Sequence, residues 1–205
     1  MIDEFNIIIT GVGGQGGLTL SRIIAYAALI EGYNVRIGET LGMSQRFGTV
    51  QIHVRFGTKV RSPLIPIGQA HVLIGLEPLE AVRVVKYLNK QSIIIVNTGI
   101  IPSILNIIGK EHYPDLKTLK SILKNHCKRL IMIDALSEAK KLKLITGIGV
   151  LLLGAYAVQS ENPIRVKSYK DAIKCIVPRK VEELSLIHIS EPTRPLYISY
   201  AVFCL

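Results

Sequence analysis

The stretch Asn6-Ile7-Ile8-Ile9-Thr10-Gly11-Val12-Gly13-Gly14-Gln15-Gly16-Gly17-Leu18 decides how this chain folds. Ile7 to Thr10 is a β-branched run of strand character that breaks off into glycines. Beyond them Leu18, Leu20, Ile23, Ile24, Ala27 and Ala28 recur at helical spacing until Gly32. The stretch therefore predicts strand, tight turn, helix, with Gly11, Gly13 and Gly16 in the pattern G-x-G-x-x-G. A turn of this kind aims the unpaired N–H groups and positive dipole end of a helix at an anion. The same glycines also let a helix pack closely on a sheet, so a ligand role and a packing role both stand here. Gln15 carries the same ambiguity, its amide serving either a ligand or a cap.

Working outward, Asn34 to Ile37 reads as a short second strand and Val50 to Phe56 as a third. The third alternates strictly: Val50, Ile52, Val54 and Phe56 share one face, Gln51, His53 and Arg55 the other. That pattern predicts one buried and one polar side, with His53 and Arg55 either solvated or lining a cleft. Gly57-Thr58-Lys59 reads as a turn, so this strand is expected in a hairpin, antiparallel to its neighbours. His71 to Leu76, Ser92 to Val96 and Leu130 to Ile133 are continuous apolar runs of strand length. His71, just ahead of its strand, reads as a satisfied structural histidine.

Helical patterns separate these runs, from Pro78 to Leu88 and over the Lys-rich residues 115 to 128, and two more follow at Gly147 to Val158 and Tyr169 to Val177. Alternation of this kind implies a three-layer α/β/α fold around a mainly parallel but mixed, Rossmann-like sheet. At 205 residues, 49% of them hydrophobic, one domain of ordinary size is expected. Its expected extent is 1–184. From 185 to 205 the style changes: two prolines, no lysine and an apolar end resemble a translated sequencing adapter, a non-native tail. The competing reading is a real tail that docks on a partner.

Composition excludes several function classes. The start Met1-Ile2-Asp3-Glu4 is acidic and unlike a signal peptide, and no apolar run reaches the length of a membrane helix, so a cytoplasmic protein is expected. Cys127, Cys175 and Cys204 form no C-x-x-C pair, so no cofactor or metal is expected on this chain and the thiols read as reduced and inert. The net charge of +10 comes from lysines spaced as solvated helix faces, without interleaved aromatics to stack bases. Acidic partner surfaces or anionic cofactors fit it better than nucleic acid.

Two further features bear on chemistry. Glu39 lies 23 positions after Gly16 (39 − 16), near where a nicotinamide-binding fold places the acid that holds the ribose hydroxyls. The second feature is the loop Gly42-Met43-Ser44-Gln45-Arg46-Phe47-Gly48, which has no apolar periodicity and reads as a contact surface. Arg46 offers a planar fork to a carboxylate or phosphate, with an internal salt bridge as the alternative.

The strings Gly11-Val12-Gly13-Gly14-Gln15-Gly16, Gly38 to Gly57 and Ile93 to Pro102, the last containing Asn97, resemble the gamma-type domain of 2-oxoacid:ferredoxin oxidoreductases. The second string is most similar to the beta subunit of the indolepyruvate enzymes, although a histidine commonly stands there at Leu41 and a glycine at Phe47. The resemblance implies a complex that oxidatively decarboxylates a 2-oxoacid such as indolepyruvate to its acyl-CoA and passes electrons to ferredoxin. It places thiamine diphosphate and iron–sulfur clusters on a large partner subunit. This chain would complete that enzyme without being active alone, with Gly11, Gly13, Gly14, Gln15, Gly16, Ser44, Gln45, Arg46 and Asn97 facing the partner or its coenzyme A. A stand-alone nicotinamide- or flavin-dependent dehydrogenase and a non-catalytic partner-binding module are the alternatives.

Overall fold

The computed structural model describes residues 2–41, 48–101, 113–141 and 147–176. The tail after residue 184 and the loop carrying Ser44, Gln45 and Arg46 fall outside them. Among the described residues six strands form one sheet: β1 (Phe5–Val12), β2 (Asn34–Leu41), β3 (Thr49–Gly57), β4 (Ala70–Gly75), β5 (Leu88–Asn97) and β6 (Arg129–Ile133). Their order is β2-β3-β1-β4-β5-β6. β1, β4, β5 and β6 run parallel, while β3 is antiparallel to both β1 and β2. The expected mixed sheet and antiparallel β3 are therefore present, but β3 pairs with β2 ahead of it and not with a strand that follows the Gly57-Thr58-Lys59 turn. β2 is longer than expected because its pairing with β3 continues to Leu41 opposite Val50.

Among the described residues six helices cover the sheet: α1 (Gly17–Ile30), α2 (Pro78–Arg83), α3 (Leu116–Lys124), α4 (Ala135–Lys141), α5 (Ile148–Ala157) and α6 (Val166–Ile176). On one face α1, α5 and α6 enclose the larger core, in which Ile7, Ile9, Ile23, Ile24, Ile52 and Tyr156 are wholly buried. On the other, α2 and α3 cover Ile8, Leu73, Ile94 and Val96. β1, β4 and β5 thus bury both faces, which is why they read as continuous apolar runs. Each such isoleucine contributes about 1.5–3 kcal/mol through burial. The apolar α5 is buried nearly all round, as a helix without a polar stripe must be.

The helical pattern from Pro78 to Leu88 resolves differently. α2 ends at Arg83, a 3-10 turn occupies Val85–Tyr87, and Leu88 already begins β5. The Lys-rich helix stops at Lys124 because Ser92 takes the Lys128 N–H, at 2.9 Å, to start β6.

A larger correction concerns β3. Its polar face is not solvated: His53 is 2% and Arg55 6% exposed. The segment after the hairpin folds back over them. Arg55 donates from Nη1 to the Ser62 and Leu64 carbonyls (2.9 and 2.8 Å), from Nε to Asn6 Oδ1 (3.0 Å) and from Nη2 to Glu4 Oε1 (2.6 Å). His53 Nδ1 accepts the Ile65 N–H at 3.2 Å, and burial pushes its pKa down. Both side chains tie down a proline-rich segment and neither lines a cleft. His71 is the structural histidine expected: Nδ1 accepts the Asn6 N–H at 3.0 Å and the ring stacks on Phe5.

Candidate functional site

The glycine turn lies at the carboxyl end of β1, where ligands of open α/β sheets gather. Gly14 (φ 98°) and Gly16 (φ 84°) occupy left-handed backbone, which side chains rarely adopt, and Gly16 caps α1 without a side-chain hydrogen bond. Gly11 is glycine for another reason. A Cβ there would stand 2.6 Å from Gln15 Oε1 and 2.8 Å from Leu76 Cβ. The fold alone therefore accounts for Gly11, while Gly14 faces open space with nothing within 4 Å of a built Cβ.

Two polar residues expected at the site serve the interior. Gln15 is 3% exposed; its Oε1 accepts the Val12 N–H (2.6 Å) and its Nε2 donates to the Leu76 carbonyl (3.2 Å). Asn97 is wholly buried and donates from Nδ2 to the same Leu76 carbonyl (3.0 Å) and to Gly99 O (3.1 Å). Its Oδ1 accepts from the backbone N–H groups of Gly99 (3.1 Å) and Leu136 (3.2 Å). The two amides meet on one carbonyl and lock the turns after β1, β4 and β5 together. They support the site from behind and do not present their amides to a ligand.

In front of this brace lies a cleft of about 410 Å³, lined by Thr10, Gly11, Gly13, Gly14, Gly16 and Thr19 together with Val12, Leu18, Val50, Ile52 and Leu76. That volume suits a small organic ligand. Every described lining residue is uncharged, so the polarity of the described lining comes from hydroxyls and backbone. The first-turn N–H groups of α1, which have no acceptor within the helix, favour an anion here.

The loop bearing Ser44, Gln45 and Arg46 ends beside this cleft. Leu41 and Gly11 both stand opposite Val50, Val12 stands opposite Thr49, and the Gly13 N–H donates to Gly48 O at 2.9 Å. Gly48 thus touches the glycine turn, while Leu41 stands on the far side of Val50, one strand further out.

The strand order removes Glu39 from any ribose-binding role. In a nicotinamide-binding fold the strand bearing that acid lies directly beside the first. Here β3 is inserted between β1 and β2, so the exposed Glu39 is two strand spacings, about 10 Å, from β1. The glycine pattern is local and survives this insertion; the acid's placement does not.

A pair of buried carboxylates was not anticipated. Glu77 and Glu80 are each 1% exposed at the end of β4. Glu77 caps α2 by accepting the Glu80 N–H at 3.0 Å and also accepts the Tyr113 hydroxyl at 2.5 Å, while burial pushes its pKa up. Glu80 lies 3.7 Å from Arg83 Nε, and its carbonyl accepts the Thr10 hydroxyl at 3.4 Å. Glutamate directly before Pro78 is the sequence signal for that cap. Burial of both acids has no such local signal.

Among the described residues no three His, Cys, Asp or Glu side chains converge as a metal would need. Cys127, in the loop after α3, and Cys175, on α6, lie on separate elements and do not fit a cluster. No described helix is long and apolar enough to cross a membrane.

Comparison with known proteins agrees with this geometry. The family model of pyruvate ferredoxin/flavodoxin oxidoreductase matches residues 6–187. Indolepyruvate oxidoreductase subunit IorB of Archaeoglobus fulgidus is 41% identical over 184 residues, covering 89% of this chain and 90% of that protein. The subunit of the same name from Pyrococcus horikoshii is 38% identical, covering 89% and 91%. Among solved structures, the pyruvate oxidoreductase subunit PORC of Thermotoga maritima superposes with a TM-score of 0.64 at 17% identity, over 98% of this chain and 93% of that one, and shows the same fold. The chain therefore belongs to the pyruvate ferredoxin/flavodoxin oxidoreductase family.

Proposed function

We propose that this chain is the small subunit of a 2-oxoacid:ferredoxin oxidoreductase acting on indolepyruvate or another arylpyruvate, and that the glycine-turn cleft is its contribution to the shared active site. The observation that carries this reading is an anion-favouring cleft whose described lining holds no titratable residue, met at Gly48 by the end of the segment that bears Ser44, Gln45 and Arg46. The described lining is suited to binding and enclosing a ligand, and the chemistry is assigned to the partner. Thiamine diphosphate on a large partner subunit supplies the decarboxylation chemistry, and clusters on that partner carry the electrons to ferredoxin.

This chain's residues then do three things. The first-turn amides of α1 hold a phosphate of coenzyme A or the substrate carboxylate. Val50, Ile52 and Leu76 exclude water from the reacting end of the cleft. The Gln15–Leu76–Asn97 brace keeps the amides in place, and Ser44, Gln45 and Arg46 meet the partner. The protein works in the cytoplasm.

Co-expression with the thiamine-bearing partner tests the reading. Indolepyruvate- and coenzyme A-dependent dye reduction is expected from the complex and not from either chain alone. Undiminished turnover by the partner alone would reject the assignment, as would tight nicotinamide binding by this chain.

A further inference from the structure

The outward face of α1 differs from those of the other long helices. Leu18, Tyr26, Leu29 and Ile30 are each 38–54% exposed, and Arg22 between them is the one charged residue in Gly17–Ile30. At 3.6 residues per turn these five positions share about a third of the helix circumference, and Ile23, Ile24 and Ala27 on the inner side are buried. By contrast, the outward side of α3 carries Lys117, Lys120 and Lys124, and that of α6 carries Lys167 and Lys174. A helix face that stays in water ordinarily bears such charges.

This apolar stripe is continuous with the candidate site. Leu18 and Thr19, in the first turn of α1, also line the glycine-turn cleft. From Leu18 to Ile30 the stripe runs about 18 Å away from the cleft, at a rise of 1.5 Å per residue. A chain that closes the cleft across the start of α1 therefore continues onto the stripe. A second copy of this chain fits poorly there, because two chains of net charge +10 repel one another.

We infer that the outward face of α1 is the docking surface for the large, thiamine-bearing subunit, which covers the stripe with apolar side chains and closes the cleft in the same contact. The inference rests on the function proposed above and adds where the partner sits. Tyr26 and Arg22, at the centre of the stripe, are residue types that carry much of the binding energy of interfaces. Lys, Glu and Asp, which interface cores avoid, do not occur in this helix.

The test titrates the full chain with the large subunit and follows both assembly and indolepyruvate-dependent dye reduction. Tyr26→Asp with Leu29→Asp, at two exposed positions outside the cleft, should weaken assembly about a hundredfold while leaving the isolated chain's melting temperature unchanged. Tyr26→Ala with Leu29→Ala, which suits a helix and guards against misfolding of the first variant, should weaken it about tenfold. At saturating partner both variants should recover the wild-type kcat and KM, since neither residue meets the ligand. Assembly of both variants at wild-type affinity sinks the inference and leaves the assigned function standing. A wild-type chain that never assembles with the large subunit removes the function and the inference together. Self-association of the wild type that both variants lose assigns the face to a second copy, and α1 exchange protection that disappears with residues 177–205 assigns it to the chain's own C-terminal segment. Either of these results overturns the inference.

Discussion

The two faces of β3 were built by opposite means. On one, Val50 and Ile52 help line a cleft whose described polarity comes from backbone and hydroxyls, with no charged side chain among the described residues. On the other, His53 and Arg55 are buried under residues 62–65, and Arg55 makes four hydrogen bonds. The face richest in polar chemistry is a strut, and the chemically plain face is the candidate site. A buried charge must spend its hydrogen-bonding capacity on the protein, whereas a backbone site keeps its amides available.

The largest expected effect breaks the strut. Arg55→Met leaves Asn6 Oδ1 and two carbonyls without their donor and removes the cation beside Glu4, and should cost about 3 kcal/mol in urea denaturation, with the folded complex keeping its KM for coenzyme A. An unchanged midpoint would show the clamp to be dispensable. Asn97→Leu should cost about 2 kcal/mol, because the N–H groups of Gly99 and Leu136 lose an acceptor, and should also raise KM by loosening the brace behind the cleft.

Gly14→Ala probes the cleft on the opposite face of β3. Nothing blocks the new methyl, so only the positive φ is penalised, at about 1 kcal/mol, yet the side chain stands at the cleft and should raise the KM of the assembled enzyme more than any substitution at His53.

The smallest effects are electrostatic. Burial depresses the pKa of His53 and His71 in the folded chain, so the unfolded chain binds protons first as pH falls through the ordinary histidine range near 6.5. Stability should decline there, and the decline should shrink in His53→Gln when melts are compared at pH 7.5 and 5.5. Glu77 has the opposite sign: its raised folded pKa stabilises the fold at low pH, and that contribution is lost as pH rises. Glu77→Gln should therefore gain relative stability between pH 4 and pH 8.

Local patterns in the sequence carried the glycine turn, the antiparallel β3, the buried α5 and the structural role of His71. Each depends on residues close in the chain: positive φ at Gly14 and Gly16, period two from Val50 to Phe56, an apolar run without charge. The misreadings share one cause. Alternation says that Arg55 lies opposite Val54 and Phe56 in direction, but not that a proline-rich segment returns to cover it. An amide looks the same whether it serves a ligand or a carbonyl across the core, so Gln15 and Asn97 showed their roles only once Leu76 stood between them. Spacing put Glu39 at a ribose-binding distance along the chain, and the insertion of β3 carried it away in space. Backbone conformation and local periodicity fix most of the elements, the glycine turn and the family resemblance, so these were readable from the chain alone. Which polar groups face a ligand was decided by tertiary structure alone, since burial and hydrogen-bond partners come from segments far apart in the chain.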